Sequence, residues 1–299
     1  MKDLKLIATL PNINFKKEII RILESDEVDE ARYNTGSTSL LSSIETLNIL
    51  KELENKYKKR IWIDLKGRQL RIIKWADPLY DVIELNHPID IEYPAKAIFR
   101  GGSESEVVRT RGNKIAVWPL PKEALGAGQS INVIAKSMDI KGYLVQKDIE
   151  YLKLCKEIGI NNIMASYVER KEDLDEIKSY LPDANIVSKI ESLKGIKFIL
   201  ENEGLQLMAA RDDLYIESGR NSSIIPLLKT IIDRDKNAIC ASRIFSSLKK
   251  NSYPELSDYS DLELMTNMGY KNFMLDDTIS QYHFDSAVKA WKEYKKCPR

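Results

Sequence analysis

Between Ile186 and Glu217 the chain changes hydrophobic period twice. Ile186, Val187 and Ile190 form a short β-branched run. After Gly195, the residues Ile196, Ile199 and Leu200 recur at helical spacing, and Leu205 to Ala210 is then apolar almost throughout, as a strand covered on both faces should be. The stretch reads strand, helix, strand, which belongs to a parallel α/β architecture. Charge gathers where each strand ends. Lys189 and Glu191 close the first strand, and Arg211, Asp212 and Asp213 close the second. Parallel α/β folds carry their chemistry at those carboxyl ends. One lysine with carboxylates from two adjacent strand ends suits a hard divalent cation with an anionic oxygen ligand beside it.

The same alternation runs along the chain. Lys5 to Leu10 is a buried-strand pattern stopped by Pro11, and Asn14 can cap a helix through about Leu23. Val28 to Tyr33 predicts a second strand, running out into Asn34, Thr35, Gly36 and Ser37. Thr38 to Lys58 sets Leu40, Leu41, Ile44, Leu47, Leu50 and Leu53 on one helical face, and Arg60 to Leu65 predicts a third strand with Asp64 near its end. From about Ile72 to Ala124 helical spacing stops. Short alternating runs (VIEL, IDIEY, KAIFR, KIAVWPL) between Pro, Gly and Asn predict a small antiparallel insert, with Trp75 and Trp118 packed in its core. Alternation then resumes: helix Gln146 to Ile158, strand Asn162 to Val168, helix Lys171 to Leu181, and the stretch described above. Helix Ser222 to Arg234, strand Ala238 to Ser242, helix Asp258 to Met268, strand Asn272 to Leu275 and helix Phe284 to Tyr294 complete the pattern. About eight strands, each followed by a helix except at the insert, fit a (β/α)8 TIM barrel. The barrel would use residues 1–71 and 125–299, with the β insert at 72–124 after the third strand.

Composition excludes several function classes. Lys plus Arg number 46 against 45 Asp plus Glu, a net charge of +1, so no global field draws the chain to nucleic acid or to a membrane. The run MKDLKLIATL is too short for a signal peptide, and no apolar segment is long enough to span a bilayer. Cys155, Cys240 and Cys297 are far apart and lack CxxC spacing, which argues against a disulfide frame or a zinc site and for a reducing cytoplasm. Cys240, inside AICAS, is expected to be a buried strand residue rather than a nucleophile. With two histidines, a mechanism built on His bases or His metal ligands has little to work with.

Several segments, in order, carry a resemblance. SKIES followed by AARDDL is similar to the KIE and ARGDLG of the pyruvate kinase family. IATLP, ARYNTGS (Ala31 to Ser37), IDLKGRQLR (Ile63 to Arg71), LGAGQSINV (Leu125 to Val133), KDIEYLKLCKEIGINNIMASYVER, ICASRIFSSL and YHFDSAV resemble further segments of that family. LGAGQSINV resembles the stretch where the chain re-enters the barrel. The resemblance implies phosphoenolpyruvate bound against one divalent and one monovalent cation. Glu191 and Asp213 would then hold Mg2+ or Mn2+, with Asp212 beside them at the substrate. Lys189 would face the transferring phosphoryl group and the enolate oxygen, and Arg32 would hold the phosphate. Asn34, Asp64 and the Leu65 carbonyl would line a K+ position. Ser242 would stand where a threonine contacts the substrate carboxylate and the proton relay, and Arg71 matches the arginine ending DTKGPEIR.

The departures bear on what reacts second. Asp212 and Tyr215 stand where the family has glycines, Gly36 replaces a serine, and Arg243 replaces a glutamine beside Ser242. MLSGET becomes Met274 to Ile279, MLDDTI. The insert is about half the usual lid, its DDG motif is not visible, and the expectation is a barrel without the family's regulatory C-terminal domain. The expectation is a divalent-metal-dependent enzyme acting on phosphoenolpyruvate, pyruvate or a related 2-oxo acid through its enolate, with phosphotransfer to ADP as the family default. A 2-oxo acid aldolase or decarboxylase on the same barrel, and a catalytically degenerate binding protein, are the alternatives. The nucleotide and the oligomeric state stay open.

Overall fold

A computed structural model describes residues 3–37, 39–77, 79, 81–99, 102–122 and 124–297. Its elements begin with β1 (Lys5–Leu10), α1 (Lys16–Glu24), β2 (Glu30–Asn34), α2 (Ser43–Tyr57) and β3 (Ile61–Leu65). There follow β4 (Ile83–Glu84), β5 (Ile89–Ile91), β6 (Ala95–Phe99), β7 (Glu104–Arg111), β8 (Lys114–Trp118), β9 (Ile131–Ala135) and β10 (Met138–Ile140). Then come α3 (Gln146–Ile158), β11 (Asn162–Ala165), α4 (Lys171–Tyr180), β12 (Asn185–Ile190), α5 (Leu193–Glu201), β13 (Gln206–Ala210), α6 (Arg211–Glu217) and α7 (Ile224–Arg234). The last elements are β14 (Ile239–Ala241), α8 (Leu256–Met268), β15 (Asn272–Leu275), α9 (Asp277–Tyr282) and α10 (Phe284–Lys296). They form two compact units, one of residues 1–65 with 149–299 and the other of residues 66–148.

The larger unit is a closed barrel of eight parallel strands in the order β1-β15-β14-β13-β12-β11-β3-β2. Its strands are buried almost residue by residue: β3 at every position, β1 at all but its first. An apolar layer fills the interior, with Ile7, Trp62, Met164, Val187, Met208 and Met274 among its members. The register sets Asn34 beside Asp64, Leu65 beside Ala165, and Ala165 beside Ser188. The carboxyl ends of β2, β3 and β11 thereby lie within a residue of one another, and β12 runs two residues further, which carries Lys189 over them.

The smaller unit holds an antiparallel sheet of order β4-β8-β7-β6-β9 and a β10-β5 pair. One buried apolar cluster joins Leu70 and Ile72 to Leu125, Ile131, Val133 and Ile140. Buried Asp148 accepts the backbone N–H of Lys66 and of Gly67, each at 2.9 Å.

Several expectations change. The compact unit is wider than 72–124, because β9 pairs with β6 and β10 with β5. Leu125 to Val133 therefore lies in the smaller unit rather than re-entering the barrel. Trp75 and Trp118 are each 64% exposed and not in its core. Asn14 does not cap α1: the N-cap is Phe15, without a side-chain bond. Thr38, the expected start of the second helix, lies outside the described residues, as does Arg100 of KAIFR. α2 begins at Ser43, because Ser42 and Glu45 form a capping box. Leu40, 93% exposed, precedes the helix, and of the expected apolar face Leu47, Leu50 and Leu53 are buried. The short helices α6 and α9 were not anticipated. Both follow directly on strand ends, where turns of this length leave almost no periodicity to read.

Candidate active site

Because β3 is buried throughout, it carries Asp64 inward with 0% exposure. A carboxylate taken out of water needs fixed cations, and its neighbours supply them. Asp64 Oδ2 accepts from Arg32 Nε at 3.0 Å and also from Arg32 Nη2. Oδ1 accepts from Lys189 Nζ at 3.2 Å and from Ser166 Oγ at 3.4 Å. Lys189 Nζ also donates to Ser166 Oγ at 2.7 Å and lies 3.4 Å from Glu191 Oε1. Burial works against the Lys189 charge, but Asp64 and Glu191 outweigh it, and the ammonium is held above its ordinary value despite the repulsion from Arg32. Arg32, Asp64, Lys189 and Glu191 thus converge at the ends of β2, β3 and β12.

Glu191 is almost wholly buried, and its Oε2 accepts the Tyr167 N–H at 2.7 Å. Tyr167 adopts left-handed backbone (φ 51°), and its phenol hydrogen-bonds Asp213 at the start of α6. Burial first, and then the charge of Asp213, push the Glu191 carboxyl up to about 7, against the pull of Lys189 and the Tyr167 N–H. Glu217, one turn beyond Asp213, is also pushed up to about 7 by burial, with Glu169 and Asp213 adding to it. Buried Glu191, raised partly by the charge of half-buried Asp213, forms with it a hard-oxygen donor set that a divalent cation would neutralise. Among the described residues no three His, Cys, Asp or Glu side chains converge as a metal site. An ion between Glu191 and Asp213 would therefore complete its shell with water or substrate oxygens.

A monovalent ion fits less well. Both oxygens of Asp64 already accept from Arg32 and Lys189, and Asn34 Nδ2 donates to Asp277 Oδ1 at 3.2 Å while its Oδ1 accepts from Gly36. Leu65 is buried beside them. The side chains expected to line a K+ position are turned to other partners.

The end of β14 is built differently. Ser242 and Arg243 have φ of 67° and 64°, a region that costs non-glycine residues about 1–2 kcal/mol each. Arg211, buried at the start of α6, holds them: Nε donates to the Ala241 carbonyl at 3.1 Å and Nη2 to that of Ser242. Its Nη1 and Nη2 reach Asp261 of α8 at 2.7 and 2.9 Å. Asp212 does not join the carboxylate pair; its Oδ1 accepts from Arg243 Nε at 2.7 Å. Arg71 is engaged inside the smaller unit, donating from Nε to Gln69 at 3.0 Å and from Nη1 to the Gly128 carbonyl at 2.5 Å. Burial pushes the Cys240 thiol up to about 11, which leaves it a packed strand residue.

Some participants were missed in the sequence. Ser166 and Tyr167 follow the apolar end of β11, and a polar residue there was the available signal. Asp277 bridges Arg32 Nη1 at 3.0 Å and Asn34, while Asp276 caps α9 through the Ile279 N–H. Arg32 Nη1 also reaches Thr9 Oγ1 at 3.2 Å. Nothing local in the sequence joins Arg211 to Asp261.

Comparison with known proteins gives one consistent result. A family model described as pyruvate kinase, barrel domain, matches residues 101–279. The pyruvate kinase of Methanocaldococcus jannaschii is 27% identical over 323 residues, covering 99% of this chain and 69% of that protein. That of Borreliella burgdorferi is 24% identical, covering 86% of this chain and 60% of the relative. That of Chlamydia muridarum is 25% identical, covering 96% and 67%. The chain spans between 60% and 69% of the length of these three relatives.

Proposed function

We propose, because this chain belongs to the pyruvate kinase family, that its barrel binds phosphoenolpyruvate, pyruvate or a related 2-oxo acid and stabilises the enolate. The observation that carries this reading is the buried junction of Lys189, Asp64, Arg32 and Glu191 on neighbouring strands of the barrel. A bound Mg2+ or Mn2+, held by Glu191 and Asp213, would supply a Lewis acid for the developing oxygen charge. The chain's own part is to fix charge in advance. Lys189 is locked between Asp64, Ser166 and Glu191, so its ammonium needs no reorganisation when an anionic oxygen arrives, and preorganised charge of this kind is worth several kcal/mol. Arg32, anchored by Asp64, would meet the anionic end of the substrate where its Nη1 now donates to Asp277. The Ser242 hydroxyl, on backbone braced by Arg211, would contact the carboxylate.

A second reading has its own support. Four donor directions of Arg32 are already taken by Asp64, Thr9 and Asp277. Asp277 competes with a substrate phosphate, which favours an unphosphorylated 2-oxo acid and a lyase. Two assays separate the readings. Turnover of phosphoenolpyruvate with ADP and Mg2+, coupled to lactate dehydrogenase, supports phosphotransfer. Metal-dependent exchange of pyruvate methyl protons for deuterium without ADP turnover supports the lyase. Failure of both, with no Mn2+ bound, would sink the enzyme reading.

A further inference from the structure

We propose that Arg243 is an oxyanion receptor at the barrel mouth, taking the carboxylate or phosphate of the second reactant. Naming that anion a reactant rests on the function proposed above; the receptor itself rests on geometry. Arg243 lies two residues beyond β14, at the same barrel end as Lys189 and Glu191. Its backbone and that of Ser242 are left-handed, as is that of Phe245 (φ 54°). Such backbone persists where its surroundings over-determine it, as at ligand clamps. Here the buried Arg211 supplies the constraint, gripping the carbonyls of Ala241 and Ser242 while tied through two bonds to Asp261.

The Arg243 side chain is held as firmly. Its Nε donates to Asp212 at 2.7 Å, and its guanidinium carbon lies 4.7 Å from the centre of the Tyr215 ring. Asp212 and Tyr215 flank Asp213 and Leu214 on α6, so the group is oriented by the element that carries one of the paired carboxylates. One edge and one face are occupied. Among the described residues Nη1 and Nη2 have no partner, and the side chain is 48% exposed. An arginine held at Nε keeps a planar fork of N–H groups for two oxygens of one anion. An ordinary surface ion pair would need neither the aromatic stack nor the left-handed turn. Charge alone does not draw the ligand: Arg211 and Arg243 are balanced by Asp212 and Asp261. Recognition is by paired hydrogen bonds and should depend weakly on salt.

The test is titration of the full chain with inorganic phosphate and, separately, with malonate. The readout is the arginine Nε–Hε NMR resonance that disappears in Arg243→Lys. The receptor requires that resonance to move saturably with at least one anion, and that calorimetric affinity for that anion fall at least ten-fold in Arg243→Met and several-fold in Arg243→Lys. A response to phosphate and not malonate assigns a phosphoryl ligand, and the reverse assigns a carboxylate. A resonance that stays still with both anions, or unchanged affinity in a folded variant, overturns the proposal; if the Met variant does not fold, the Lys variant decides. Mn2+ titration of the same proteins reports separately on Glu191 and Asp213. Its failure would remove the proposed function and leave the anion result readable.

Discussion

Replacing Glu191 by glutamine should stabilise the metal-free protein and remove its response to metal. The Glu191 carboxyl sits at about 7 against an ordinary 4.5, so the folded state holds this proton more tightly than the unfolded chain. Stability from that group is present below pH 4.5 and is lost as pH rises through 7. At 1.36 kcal/mol per unit, the charged form costs at most about 3 kcal/mol at pH 8. The glutamine amide keeps an oxygen for the Tyr167 N–H and carries no charge against Asp213. In urea denaturation with EDTA the variant should therefore be more stable than the wild type at pH 8, by up to about 3 kcal/mol, and by less than about 1 kcal/mol at pH 5. Mn2+ should reverse the order at pH 8. At a hundredfold excess over Kd a ligand adds about 2.7 kcal/mol, and only the wild type should gain it. A variant less stable than the wild type at pH 8 without metal, or one that gains equally from Mn2+, refutes the assignment.

Other outcomes follow from single contacts. Arg211→Met leaves Asp261 and two carbonyls without their donor and should cost about 3–5 kcal/mol in denaturant titration; a loss below about 1 kcal/mol would mean that the turn after β14 holds itself. Gly195→Ala puts a Cβ 2.9 Å from the Val168 carbonyl oxygen, a backbone atom that cannot step aside, and should cost about 1–3 kcal/mol, read as a lowered melting temperature. Asp277→Asn removes the acid from the outer side of Arg32. Because Asp277 is 51% exposed the gain is modest, about 1 kcal/mol or five-fold tighter inorganic phosphate. Unchanged phosphate affinity there would exclude competition at Arg32.

The barrel was legible in the sequence because its evidence is repetitive: β-branched runs buried on both faces, separated by helical spacing, recur from Lys5 to Tyr294. The places of Lys189, Glu191 and Asp64 were legible for the same reason, since each charge stands at or next to the end of an apolar strand, whereas Arg32, midway along β2, came from the family resemblance alone. Partner choice was not. Asp212 and Asp213 are neighbours in the chain, yet one pairs with Arg243 and the other with Tyr167, because a helix starting at Arg211 turns successive side chains about 100° apart. Arg71 closes a strongly charged run in the sequence, but its bonds lie within the smaller unit. The limits of that unit were misjudged because β9 and β10 belong to it through long-range pairing, which periodicity does not report.

The grip of Asp148 on Lys66 and Gly67 has a consequence for how such chains diversify. The polypeptide leaves β3 and returns ahead of α3 through one doorway, where Asp148 is one of the side chains that tie the two ends together. Whatever is threaded through it can lengthen or shrink while the ends stay the same distance apart, and loop closure changes by only about 0.6 kcal/mol per doubling. The segment behaves as an exchangeable cassette, and a short turn that preserves the Asp148 bonds should let the eight-stranded ring fold without it.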